Sequence, residues 1–144
     1  MKIKQQFKVG KNNISYVSDR FLEFFGEMEF EKSDTKLYSK VLEKSMNDFE
    51  IQALGVTEVT LGDIFNSLEK LNKNEWNIFY AKDIKDVLCV VDVRWGGGGW
   101  SVGADSVGVS GWFVGYRVFS HNSFDTLTPE PIEPLNLEIT EIKL

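Results

Sequence analysis

Between Val87 and Trp95 every odd position is apolar: Val87, Cys89, Val91, Val93 and Trp95. Nine residues with that period read as a strand turning one face to a core. The even positions pass from Leu88 and Val90 to Asp92 and Arg94, so the second face becomes polar toward one end. Gly96-Gly97-Gly98-Gly99 follows, and Trp100-Ser101-Val102-Gly103-Ala104 resumes as a strand. The chain is therefore built about a β-hairpin. A two-residue primed turn closes such a pair with least strain, although four glycines admit several loop forms.

The neighbouring segments extend this pair. Trp76 to Ala81 reads as a strand, Asp83-Ile84-Lys85-Asp86 as a turn, and Phe113 to Ser120 as a strand following Gly108-Val109-Ser110-Gly111. Connections this short leave no room for crossover helices, so residues 75–122 are predicted to form an antiparallel meander.

Residues 1–74 are predicted to be mainly helical behind an opening strand. In residues 2–9, Ile3, Gln5, Phe7 and Val9 alternate with Lys2, Lys4, Gln6 and Lys8, the pattern of an edge strand. Ser18 can cap a helix carrying Phe21, Leu22, Phe24, Phe25 and Met28. Ser33 or Asp34 can cap a second, with Leu37, Tyr38, Val41, Leu42 and Met46 at helical spacing, before a turn about Phe49-Glu50-Ile51. Thr60 caps the third, with Asp63 three residues on and a stripe of Leu61, Ile64, Phe65, Leu68 and Leu71. Pro129, Pro131 and Pro134 then space an acidic tail, residues 123–144, in which Leu135, Leu137 and Ile139 alternate as a last strand. Its acids would suit the four lysines of residues 1–11 as strand neighbours. The expected fold is α+β in one domain, 1–144: an antiparallel β-meander of four to six strands with two or three helices on one face.

A net charge of −6 weighs against nucleic acid, whose binding rests on many lysine and arginine contacts to phosphate. One cysteine, Cys89, permits no intramolecular disulfide and fits a reducing compartment. No apolar run approaches the ~20 residues of a membrane span. A cytoplasmic protein without membrane attachment is expected.

The run Trp76-Asn77-Ile78-Phe79-Tyr80, then Val93-Arg94-Trp95, Gly99-Trp100, Ala104-Asp105-Ser106-Val107 and Arg117-Val118-Phe119-Ser120 resembles a module of small uncharacterised bacterial proteins. The similarity extends to Asn122 and implies no particular activity, cofactor or partner.

Few residues point to chemistry. Ser120, His121 and Asp125 are adjacent without the constrained turn a catalytic triad requires. Cys89 lies on the apolar side of its strand and reads as an inert thiol. Asp92, Asp105, His121 and Asp125 match no calcium or zinc spacing. The glycine run lies between strands, not before a helix, and so does not read as a phosphate cradle. No cofactor or metal is expected. Aromatic residues, glycines and a few charges instead gather at one end of the sheet. The candidate binding face is Asp92, Arg94, Trp95, Trp100, Asp105, Trp112, Tyr116 and Arg117. It would serve a non-catalytic recognition module whose partner is a protein or a small anionic or sugar ligand. A small hydrolase or lyase using Asp92 and Asp105 as paired carboxylates is the alternative. The third expectation is a structural subunit of a homo-oligomer.

Overall fold

A computed structural model of the protein describes residues 1–33 and 35–123. Among them are four α-helices, α1 (Ile3–Gln6), α2 (Asp19–Phe25), α3 (Asp48–Gln52) and α4 (Leu61–Ser67). The eight strands are β1 (Ile14–Val17), β2 (Tyr38–Val41), β3 (Met46–Asn47), β4 (Asn77–Lys82), β5 (Leu88–Gly96), β6 (Gly99–Ser106), β7 (Gly111–Trp112) and β8 (Arg117–Ser120). Six form one sheet in the order β1-β6-β5-β4-β8-β2, while β3 and β7 form a separate ribbon. The class is α+β, as the residue pattern implies.

The β4-β5-β6 meander is present, with Trp95 opposite Trp100 and Gly96 opposite Gly99. Gly97 and Gly98 close the hairpin as a two-residue turn, both with positive φ (65° and 85°), as a primed turn demands. Beyond this core the expected topology needs correction. The strand ending at Ser120 does not continue the meander; β8 lies parallel to β4, and β1 lies parallel to β6. The sheet is mixed.

Two predicted elements change type. Ile3 and Phe7, expected on an edge strand, are both buried around the short helix α1, while Val9 is exposed. Lys2 meets Glu27 and Glu29 and Lys4 meets Glu27, with Lys4 Nζ 2.5 Å from Glu27, and Lys4 above all, with Lys2, holds the Glu27 carboxyl below its usual range. The helix expected from residue 33 to Met46 is replaced by β2, which pairs antiparallel with β8 from Tyr38↔Ser120 to Val41↔Arg117. Pairing with β8 covers the edge of β8 that β4 leaves open, and this tertiary contact overrides the helical spacing of Leu37 and Val41. Asp34 and the tail from residue 124, including its expected strand, its proposed pairing and Asp125, lie outside the described residues.

Helices α2 and α4 start where their caps predict, and the turn expected about Phe49-Glu50-Ile51 is the helix α3. Ser18 Oγ accepts from the Phe21 amide at 3.1 Å. Thr60 and Asp63 complete a reciprocal capping box, both bonds 3.0 Å. Asn47 and Glu50 make a second box at the start of α3.

Helices cover both faces of the sheet, not one. On the first face α1, α2 and α4 bury Ile3, Phe7, Phe21, Phe25, Ile64 and Leu68 against Phe79, Val91, Val93, Trp100 and Val102. On the second, Ile51 of α3 and Trp112 of the ribbon pack with Leu42 and Val56 against Ile78, Tyr80, Val90 and Val118. This second cluster covers β4, β5 and β8 only. The outer part of that face, over β6 and β1, is left open.

Candidate functional site

Alternation along the strands divides the eight candidate residues between the two faces. Trp95 and Trp100 belong with the first core cluster. Trp100 is buried; Trp95 packs edge-on against it at 5.0 Å, and Lys73 Nζ lies 4.0 Å from the Trp95 ring centre. Arg117 shares this side with Ser39. Its guanidinium takes Glu75 through two nitrogens, at 2.7 and 3.3 Å, and donates to Ser39 Oγ at 2.9 Å. Each nitrogen of that fork thus has a partner.

Asp92, Arg94, Asp105, Trp112 and Tyr116 lie on the second face. Trp112 is buried, and its indole N–H donates to Asp48 at 2.7 Å. The expected cluster of open tryptophans is therefore not formed by Trp100 or Trp112.

What the second face does assemble is a compact polar group. Asp92 of β5 stands opposite Gly103 of β6, and Arg94 opposite Ser101. The Asp92 carboxylate leans over the glycine so closely that a Cβ there would lie 2.9 Å from Oδ1. Glycine at 103 makes the room. Arg94 is exposed and lies 4.7 Å above the Trp76 ring, forming no ion pair among the described residues. Tyr116 stacks on the same indole, centroids 5.1 Å apart and planes within 8°. Because β4 lies between β5 and β8, Trp76 is sandwiched between the guanidinium and the phenol. The indole gives the Arg94 cation a ring to lie over. The sequence pattern marks Trp76 only as the start of a strand; it stands one residue before β4, between Arg94 and Tyr116.

Electrostatics tie the group together. Burial raises the Asp92 carboxyl above its ordinary range; Arg94 partly opposes this and Asp105 adds to it. Burial likewise raises the Tyr116 hydroxyl, with Asp92 adding and Arg94 opposing. No other side chain hydrogen-bonds Asp92 among the described residues. Asp105, opposite Val90, is the diagonal neighbour of Asp92 on this face. It accepts from Arg20 Nη1 at 2.6 Å and from its neighbour's amide, Ser106, at 3.2 Å. Beyond β6 the exposed Tyr16 of β1 stands opposite Ser101. Ser101 and Gly103 of β6 thus lie on this face between the exposed Tyr16 on one side and Asp92, Arg94 and the Trp76 indole on the other.

The remaining reactive residues are accounted for by structure. Cys89 is buried, and burial, then the Asp83 charge, push its thiol up to about 11. Ser120 is buried against Thr57, accepting from its amide at 2.9 Å, while His121 is exposed beside it. Among the described residues no group of three or more histidine, cysteine or acidic side chains could hold a metal ion. No helix of the described chain is long and apolar enough to cross a membrane. Compared with protein families, curated proteins and solved structures, the chain matches none.

Proposed function

We propose that the patch of the second face around Asp92, Arg94, Ser101 and Gly103 is a recognition site for a small ligand carrying adjacent hydroxyl and acceptor groups, of the sugar or sugar-acid class. One observation carries this reading: Arg94 lies 4.7 Å over the Trp76 ring and, among the described residues, forms no ion pair, beside an Asp92 carboxylate that no described side chain hydrogen-bonds. A planar guanidinium offers paired donors to a carboxylate or to two hydroxyl oxygens. The carboxyl beside it accepts from, or when protonated donates to, a neighbouring hydroxyl. Of the two arginines in the candidate face, Arg94 is the one left to take a ligand, since Arg117 is bound to Glu75. Titration of neutral sugars and uronic acids, followed by tryptophan emission and amide shifts, tests the site. Arg94→Ala and Asp92→Asn should each weaken binding about tenfold or more. Saturating amounts that leave the amides of residues 92–94 and 101–103 unmoved would overturn the reading.

A second reading is favoured by the diagonal placement of Asp92 and Asp105. Such neighbours have Cα atoms roughly 7–8 Å apart, compatible with carboxyl groups at the roughly 5–9.5 Å where acid–base pairs work. One carboxyl is raised by burial while the other is bound to a cation, the division of labour of a general acid and its ionised partner. Turnover of chromogenic glycosides or esters, lost in Asp92→Asn and in Asp105→Asn, would support hydrolysis. Binding without turnover would leave recognition alone.

A further inference from the structure

On the opposite side of the molecule, between α1, α4 and the segment at Phe30, a cleft of about 230 Å³ is lined by Gln6, Asn12, Phe30, Lys32, Phe65 and Glu69, with Gly62 and Asn66 completing it. Phe30 and Phe65 meet edge-to-face at 5.4 Å and give it an apolar floor. The rim carries both signs of charge. Lys32 and Glu69 are exposed, and neither makes an ion pair or side-chain hydrogen bond among the described residues. Lys2, Lys4, Arg20, Lys82 and Arg117, by contrast, all have acidic partners. The side-chain amides of Asn12 and Asn66 are likewise without partners among the described residues. Gln6 accepts from Lys11 at 3.1 Å through its oxygen and keeps its NH2 group for donation.

We propose that this cleft binds a free α-amino acid with an apolar side chain. The volume is below the ~300–1,000 Å³ of pockets that hold drug-sized ligands, and suits a molecule of about ten heavy atoms. An amino acid brings one anion for Lys32, one cation for Glu69 and an apolar group for the two rings. The amides of Asn12 and Asn66 supply the orienting hydrogen bonds. A ligand of single charge would leave either Lys32 or Glu69 without a partner, and a purely apolar one would leave both. Zwitterionic character is therefore what the lining selects. This inference stands apart from the reading of the Asp92 face, with which it shares no residue.

The test is titration of the full chain with leucine and phenylalanine, read from the amide resonances of Gly62, Phe65 and Asn66. N-acetyl-leucine and leucinamide serve as singly charged controls. Saturable shifts at millimolar concentration are expected, with each control at least about tenfold weaker. Lys32→Ala should reduce affinity for leucine by about tenfold while leaving that for leucinamide unchanged, and Glu69→Ala should do the converse with N-acetyl-leucine. Both side chains are exposed, so the variants retain the fold. Absence of shifts up to about 50 mM, or equal shifts from the blocked compounds, would overturn the proposal.

Discussion

The hydroxyl of Tyr80 donates to Asp48 Oδ1 at 2.6 Å, joining the central strand of the sheet to the first turn of α3. The same oxygen accepts from Trp112 Nε1 at 2.7 Å, and Oδ2 accepts from the Gly108 amide at 2.7 Å. Asp48 is fully buried, so a carboxylate with three donors replaces the water it has lost. Burial, reinforced by this carboxylate, raises the Tyr80 hydroxyl well above its ordinary value and keeps it a donor. Asp48→Ala would leave the buried Tyr80 and Trp112 donors unpaired and release the Gly108 amide to solvent, and should destabilise the fold by roughly 3–5 kcal/mol, read by urea unfolding. Tyr80→Phe removes one donor while two remain, and should cost about 1–2 kcal/mol. In the double variant the losses should fall short of additive, because the two share one oxygen.

Gly103 has a different constraint. A methyl group there would lie 2.9 Å from Asp92 Oδ1, inside contact distance. Gly103→Ala should therefore cost about 1–3 kcal/mol, the usual penalty of overpacking. In an Asp92→Ala background the obstructing carboxylate is gone, and the same substitution should be close to neutral. A chemical-denaturation cycle over the four proteins measures the difference.

The Asp92 carboxyl also has a signature in pH. Its raised value, set chiefly by burial, means the folded chain holds a proton that the unfolded chain has already released. This happens between the ordinary aspartate range and the raised one. The stability it contributes is fully present below that interval and is lost as pH rises through it. Asp92→Asn does not ionise. Its melting temperature relative to the unsubstituted protein should climb from about pH 3 through the carboxylate range and then level off. A flat difference would mean the carboxyl is not raised.

The central hairpin and the helix at Thr60 were legible because a single period runs through each. From Cys89 to Val93 the odd positions enter one core, and Val87 alone among the expected inward residues of its strand is exposed. The opening segment misled for a definite reason. Ile3 and Phe7 are four apart, a spacing that satisfies both two strand repeats and one helical turn. Lysines on the intervening positions then imitated an edge. The segment from Tyr38 to Val41 carried a helical spacing, but the strand that pairs with it, β8, is almost eighty residues away. No local pattern records such a pairing. About Phe49-Glu50-Ile51 the sequence suggests only a turn, where Asn47 and Glu50 in fact box the start of α3, and nothing in Asn47-Asp48-Phe49 announces that Asp48 will bind Tyr80 and Trp112. At the candidate site Asp92 and Arg94 stood out as polar residues ending an apolar strand. Their separation from Trp95, Trp100 and Arg117 follows from side-chain alternation. Arg20, which takes Asp105, lies eighty-five residues away and gave no sign of it.

The glycine turn offers a test of the hairpin. Gly97 and Gly98 both have positive φ, and no atom beyond their chain neighbours lies within 4 Å of where a Cβ would stand at either. The constraint is thus on backbone conformation alone. Asparagine tolerates this region and is favoured at the first central position of a primed turn. It also narrows the unfolded ensemble relative to glycine. Gly97→Asn should therefore leave stability unchanged or raise it by a few tenths of a kcal/mol. Gly97→Val meets the full left-handed penalty of a β-branched residue and should lower stability by about 1–2 kcal/mol. Thermal unfolding of the two variants would measure this. Equal effects from both would mean that the turn is not held at Gly97-Gly98 and that the register of Trp95 opposite Trp100 has another source.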